Sequence, residues 1–211
     1  MEIHHIRREF NRQKLDLNDL KPDPFDQFDD WFKVALNEIA LDPNAMALAT
    51  VSPEGIPSLR TVLLKYYDKS GLVFFTNYGS RKSAQIEENH HVSCMFLWLP
   101  LERQIIIEGR AERISKAESL KYFASRPLGS QLGAWVSNQS SIISSRSILM
   151  SKLEEIKNKF KDGKIPIPDF WGGYRIIPHR FEFWQGGENR LHDRFLYELH
   201  DDLWDIKRLA P

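Results

Sequence analysis

One cysteine in the whole chain, Cys94, excludes an intramolecular disulfide and any thiolate metal cluster within one chain. It lies in the apolar run Val92-Ser93-Cys94-Met95-Phe96-Leu97, where a thiol is expected to be buried and inert. Net charge is missing too: 29 Lys and Arg balance 29 Asp and Glu, so overall charge gives no nucleic-acid footprint and any positive site must be local. No apolar run is long enough to span a membrane, and Met1 to Asn11 is too polar for a signal peptide, which predicts a cytoplasmic setting. The Gly-x-x-x-x-Gly-Lys and Gly-x-Gly-x-x-Gly patterns are absent, as is the Gly-x-Ser-x-Gly elbow of serine hydrolases. His90-His91 has no third ligand at metal spacing, so no metal site is expected, and no carboxylate pair stands out for acid–base work. With no repeat, low-complexity tract or linker in 211 residues, the chain reads as a mobile N-terminal arm, 1–24, and a single domain, 25–211.

What is present is mostly strand. After the arm, Phe28, Trp31, Phe32, Ala35, Leu36 and Ile39 recur at helical spacing and stop before Asp42-Pro43. From Ala45 the chain turns to short β-rich runs: Ala45 to Ser52 and Pro57 to Tyr66 around the turn Pro53-Glu54-Gly55, then Leu72 to Thr76, Val92 to Leu97 and Arg103 to Arg113. Ser80 opens a helix to about Asn89, Ser115-Lys116-Ala117-Glu118 is a capping box for another that ends at Pro127, and a third pattern covers about Arg146 to Phe160. Strands return at Trp171 to Ile177, Arg180 to Gln185, Phe195 to Leu199 and Leu203 to Leu209. Strands this short and closely spaced, with flanking helices, predict a mainly β, α+β fold with an antiparallel barrel rather than a parallel sheet.

Four stretches carry cations where a barrel has little use for them. Arg60 and Lys65 lie in one predicted strand at an odd separation, which puts them on opposite faces of a regular strand and implies a bulge or two anion sites. The bland alternative places both at strand ends, reaching into solvent. Thr76 to Lys82 joins a strand to a helix start, where free N–H groups favour an anion, while Arg81 and Lys82 oppose the helix dipole unless a phosphate sits there. Tyr122 and Arg126 share a helix face, with Ser130 beyond it, as a second candidate phosphate cradle. Near the C-terminus, Glu182-Phe183-Trp184-Gln185 runs into Gly186-Gly187 and then Arg190, Leu191, His192, Asp193 and Arg194. In an extended segment Arg190, His192 and Arg194 share one face, beside an aromatic wall suited to a planar anionic ligand.

Together these stretches are more specific than any one of them. Arg60 to Lys65, Phe75-Thr76, Ser80-Arg81-Lys82, Leu101-Glu102-Arg103-Gln104, Tyr122 to Pro127, Gly133 to Ser137, Phe170 to Gly173, Phe183 to Phe195 and Arg208 to Pro211 closely resemble the pyridoxamine 5′-phosphate oxidase family, over nearly the whole chain from about Pro22. The resemblance implies an FMN-binding split β-barrel homodimer with the flavin between subunits. It implies that Arg60, Arg81 and Lys82 hold the FMN phosphate. Thr61, Val62, Leu63, Leu64, Lys65, Phe75, Thr76, Gln104, Gln139, Ser140, Trp184 and Arg194 would line the rest of the cofactor site. Lys65, Tyr122, Arg126 and Ser130 would grip the substrate phosphate, while Arg190 and His192, with Leu191 between them, would position the pyridine ring as the catalytic pair. The segment Arg7-Arg8-Glu9-Phe10 resembles one that folds over the substrate in bacterial relatives, with Phe10 where those carry Tyr.

The implied reaction takes pyridoxamine or pyridoxine 5′-phosphate to pyridoxal 5′-phosphate by hydride transfer from C4′ to flavin N5. Dioxygen reoxidises the flavin to give hydrogen peroxide, and the amine releases ammonia. The protein then supplies binding, orientation and electrostatics, with a proton-transfer role open to His192. Two alternatives stand beside it: a non-catalytic FMN- or haem-binding split-barrel module, which leaves the second phosphate cradle idle, and an NAD(P)H-dependent flavin reductase, which leaves Lys65, Tyr122, Arg126 and Ser130 without a shared purpose.

Overall fold

The computed structural model describes residues 1–5 and 8–211. Arg7 lies outside the described residues. A helix, α1 (Pro24–Glu38), starts the domain, with the Asp23 side chain accepting from the Phe25 N–H and Pro24 at the first helical position. The strands β1 (Ala45–Val51), β2 (Pro57–Leu63), β3 (Tyr66–Asp68) and β4 (Gly71–Asn77) follow, then α2 (Arg81–Glu88), β5 (His91–Trp98) and β6 (Arg103–Arg113). Helices α3 (Lys116–Ser125), α4 (Leu128–Val136) and α5 (Arg146–Lys159) precede the last strands, β7 (Trp171–Gln185), β8 (Asp193–His200) and β9 (Leu203–Leu209). Among the described residues no helix is long and apolar enough to cross a membrane.

The nine strands of the described residues belong to one curled antiparallel sheet, ordered β2-β1-β5-β6-β7-β4-β3, with β8 paired to β7 and β9 to β8. Alternation explains which face turns inward: Met46, Leu48 and Thr50 of β1 and Val92, Cys94, Phe96 and Trp98 of β5 are buried while their neighbours are not. α1 plugs the curl with Phe28, Trp31, Phe32 and Ala35. Phe28 meets the rings of Phe96 and Tyr67, and Trp31 meets Phe183. Cys94 is in this core, where burial pushes its thiol up to about 12 and keeps it protonated, as its apolar surroundings predict.

β7 organises the site. The sequence pattern predicts two strands here, and the structure has one of 15 residues, bent in the middle. Its first half pairs with β4 (Phe75 opposite Gly173, Thr76 opposite Gly172) and its second half pairs with β8 (Trp184 opposite Arg194). On its other edge it pairs with β6 throughout, with a register shift where Glu108 faces Arg180 and Gly109 faces Pro178. His179 is the extra residue of this bulge. Pro178, having no N–H to give the ladder, is tolerated at such a break. A Cβ on Gly109 would run into the Ile177 carbonyl, so only glycine lets the two strands close here.

Other departures from the sequence reading have local causes. β2 ends at Leu63, so strand parity does not apply to Lys65, and no bulge is needed to bring it to the side of Arg60. Helix α4 begins directly after Pro127, a segment whose Gly129 and Gly133 lower its helix propensity and hide it in the sequence. Ser130 therefore lies in the first turn of a helix, not in a loop after one. The alternation expected of Arg190, His192 and Arg194 fails: Glu188–Arg190 is a single 3-10 turn, with Asn189 at φ 54° and Arg190 at φ 64°, and β8 starts only at Asp193.

Candidate functional site

A cavity of about 790 Å³ opens between β2, the end of β4, the start of α2 and helices α3 and α4. Arg60, Thr61, Val62, Leu63, Lys65, Phe75, Thr76, Arg81, Lys82, Tyr122, Arg126, Ser130, Gln139 and Ser140 all line it. It contains five cationic side chains and not one carboxylate. None of the five has a carboxylate within ion-pair distance among the described residues. Leu64, by contrast, turns into the apolar core and leaves the cavity wall.

At one end, Lys82 is buried with only neutral acceptors: Nζ donates to Thr76 Oγ1 at 2.9 Å, Gln139 Oε1 at 2.9 Å and Ser80 Oγ at 3.2 Å. Burial, with Arg60 nearby, lowers its ammonium to about 8. The Ser80 hydroxyl, expected to cap α2, makes no capping bond and is shared between Lys82 and Ser83 instead. The first N–H groups of α2 are thus left open, apart from Arg81 N–H, which donates to Ser140 Oγ at 3.2 Å. Arg60 donates from Nη1 to the Leu48 carbonyl at 2.8 Å and Thr50 Oγ1 at 2.7 Å, and burial followed by the Arg81 charge lowers its pKa. A buried ammonium and two guanidinium groups without a counter-ion are costly unless an anion joins them.

At the other end stands an aromatic stack. Phe75 and Tyr122 lie with centroids 3.9 Å apart and planes inclined at 21°, and Phe75 is stacked on Trp171 at 5.3 Å. The Arg126 guanidinium sits 4.7 Å from the Trp171 ring centroid. Its Nη1 is buried with no partner, and burial lowers its pKa. Lys65 and Ser130 complete this end. Both sets of residues read from the sequence as candidate cradles thus line one cavity. Trp171 also lines the cavity; the sequence marks it as the start of a strand and gives it no site role, and the placement of Arg126 on its ring is what singles it out.

The remaining predicted residues are elsewhere. Gln104, Trp184, Arg190, His192 and Arg194 are absent from the cavity wall. Twelve residues of β7 separate Gly172, beside Thr76, from Trp184, which at about 3.3 Å per residue is roughly 40 Å of strand. At that far end His192 packs on Trp184 at 4.7 Å, and its Nδ1 accepts from Gly187 N–H at 3.1 Å, which leaves Nε2 as the protonated nitrogen of the neutral ring. Arg194 donates from Nε to Glu182 at 2.8 Å, which raises its pKa. Arg190 and Leu191 are exposed. The predicted site residues therefore fall into two groups at opposite ends of one strand.

The N-terminal arm packs on the second group. Phe10 meets Trp184 and His192 edge-on at 5.7 and 5.6 Å and rests on Gly186, where any Cβ would collide with it; Glu9 is exposed. The arm is pinned by Glu102, a buried carboxylate on a left-handed backbone (φ 54°) that accepts from Arg8 Nη2 at 3.1 Å and Arg12 N–H at 3.0 Å. Arg8 and Arg12 also donate to the Leu99 and Pro100 carbonyls. Glu102→Gln weakens a charge-assisted anchor worth about 1.5–3 kcal/mol. Trypsin is accordingly expected to cut after Arg8, Arg12 or Lys14 roughly tenfold faster in the variant. Cleavage at the wild-type rate, followed by mass spectrometry, would show that Glu102 does not hold the arm.

A curled antiparallel sheet with a carboxylate-free cationic cavity defines a split-barrel protein built to hold anionic ligands. Comparison makes this specific. A family model described as pyridoxamine 5′-phosphate oxidase matches residues 32–160, and one described as the pyridoxine 5′-phosphate oxidase C-terminal dimerisation region matches residues 171–211. The chain belongs to the pyridoxamine 5′-phosphate oxidase family. It is 61% identical to the pyridoxine/pyridoxamine 5′-phosphate oxidase of Rippkaea orientalis over all of both chains. It is 54% identical to that of Escherichia fergusonii, covering all of this chain and 96% of that one. Among solved structures, PhzG from Burkholderia lata in complex with tetrahydrophenazine-1-carboxylic acid superposes with a TM-score of 0.87 at 29% identity, covering 92% of this chain and 95% of that one. A pyridoxamine 5′-phosphate oxidase-related, FMN-binding protein from Nostoc punctiforme shares the fold, with a TM-score of 0.72 at 16% identity, covering 91% of this chain and all of that one.

Proposed function

We propose that this chain is a homodimeric oxidase that converts pyridoxamine 5′-phosphate and pyridoxine 5′-phosphate to pyridoxal 5′-phosphate, using FMN and dioxygen. The observation that carries the reading is the cavity with a cationic cluster at each end and no acid between them, which fits two phosphorylated ligands side by side. Arg60, Arg81, Lys82 and the open start of α2 would hold the flavin phosphate, since a buried lysine bonded only to neutral oxygens suits a phosphate oxygen as its missing partner. Lys65, Tyr122, Arg126 and Ser130 would hold the substrate phosphate, Arg126 bringing a guanidinium with no carboxylate partner to the cavity wall.

Two-fold symmetry supplies the remainder. In a symmetric dimer the Trp184, Arg190, His192 and Arg194 end of one chain can close the cavity of the other, which accounts for half-sites about 40 Å apart along a strand. The match of residues 171–211 to a dimerisation region supports this, because that region contains Trp184, Arg190, His192 and Arg194. When bound, the flavin supplies the two-electron redox chemistry. The protein's own work is to orient. Arg190 and His192 would hold the pyridine ring in register, His192 offering Nε2–H because Nδ1 is engaged by Gly187. Phe10 would keep water off that ring.

Anaerobic mixing of the FMN-loaded protein with pyridoxamine 5′-phosphate tests the reading. The oxidised-flavin absorbance is expected to bleach, then return on admission of air together with pyridoxal 5′-phosphate. A flavin band that stays oxidised with substrate bound would leave a cofactor-binding module in its place.

A further inference from the structure

The Arg126 guanidinium is held in an unusual way for a half-buried cation. Its side chain makes no hydrogen bond and no ion pair among the described residues, and Nη1 is sealed from solvent without a partner. Its positioning comes from a ring: Cζ lies 4.7 Å from the centroid of Trp171, with Phe123 at 5.7 Å. Trp171 is itself buried, fixed as the first residue of β7 opposite Asn77 and stacked on Phe75, so it cannot swing away. Behind it, Gln131 Nε2 donates to the Arg126 carbonyl at 2.8 Å and fixes the backbone.

An aspartate or glutamate would hold a guanidinium equally well but would neutralise it. An aromatic face attracts the cation through its quadrupole and leaves the full charge, and the N–H donors that face the cavity, for a ligand. We infer that Trp171 is a positioning residue for substrate, a π platform that holds Arg126 uncompensated so that it selects a doubly charged phosphate monoester. The inference rests on the substrate-phosphate reading of Arg126 given above. It concerns how that arginine is kept in place and charged, which no feature of the sequence indicated.

The test compares Trp171→Phe, which keeps a ring, with Trp171→Met, a smaller apolar side chain without one, each alone and combined with Arg126→Ala. KM for pyridoxine 5′-phosphate and Kd for pyridoxal 5′-phosphate by equilibrium dialysis are the readouts. Both are expected to rise about tenfold in Trp171→Met and within about threefold in Trp171→Phe, with kcat changed far less. On the Arg126→Ala background, Trp171→Met is expected to add nothing, because a platform with no guanidinium on it has nothing to position. Equal losses in the Phe and Met variants, or a further tenfold loss on the Arg126→Ala background, would overturn the inference and make Trp171 a packing residue. Should Arg126→Ala alone leave both constants unchanged, the substrate-phosphate reading itself falls and the platform with it.

Discussion

Lys82→Met is expected to make the ligand-free protein more stable while costing it about 100-fold in flavin affinity. The first half follows from burial. An ammonium whose pKa drops from 10.5 to about 8 on folding implies a penalty on the order of 3 kcal/mol for holding the charge inside. Methionine removes that charge at similar volume. Losing three hydrogen bonds to neutral oxygens offsets part of the gain, so a net stabilisation of about 1–2 kcal/mol is expected. The second half follows because a charge-assisted bond to a phosphate oxygen disappears.

The pH dependence separates this from ordinary repacking. Below about pH 8 the folded protein carries the buried charge in full; between about 8 and 10.5 the folded state releases a proton that the unfolded state still binds. Stability of the ligand-free wild type therefore gains a rising contribution across that window, and Lys82→Met lacks it. Urea denaturation near pH 7 and near pH 9.5 measures both. If Lys82→Met destabilises the protein at the lower pH, the lysine is compensated by something other than a ligand.

Mixing two crippled variants is expected to restore activity. Arg126→Ala damages the cavity half of the site and Arg190→Ala the β7 half, and by the geometry proposed above each homodimer then has two damaged sites. Subunit exchange makes half of the dimers mixed, and in each mixed dimer one site combines both intact halves while the other combines both damaged ones. The recovered kcat/KM at low substrate is therefore about a quarter of wild type. Unrestored activity after confirmed exchange would place both halves of each site within one chain, against the separation imposed by β7.

Much of this was legible because its signals are local. Apolar alternation marked β1, β5 and β6, and the capping box at Ser115 marked the start of α3, where the structure shows both reciprocal bonds. The cations at Arg60, Arg81 and Lys82 stood out as residues an apolar barrel would otherwise avoid. What stayed hidden depends on distant contacts. The bend in β7 read as a break between two strands because Pro178 and His179 look like a turn until β6 supplies the partner for a bulge. Arg190 and His192 read as alternating strand residues because a left-handed backbone at Asn189 and Arg190 leaves no mark in a sequence with neither residue a glycine. Lys65 joined Arg60 at the cavity only because β2 stops two residues short of it, and Trp171 gained a role only once Arg126 was seen on its face.

The bend at Pro178 has a genetic consequence. In a cell making normal and defective subunits together, a lesion in either half-site spares one site of every mixed dimer. A lesion at the bend would displace both halves contributed by that chain, and because each site of the proposed dimer borrows one half from each subunit, a mixed dimer would have none intact. Gly109 and Pro178, neither of which lines the cavity, are thus the positions where a single bad allele is expected to be dominant over a good one.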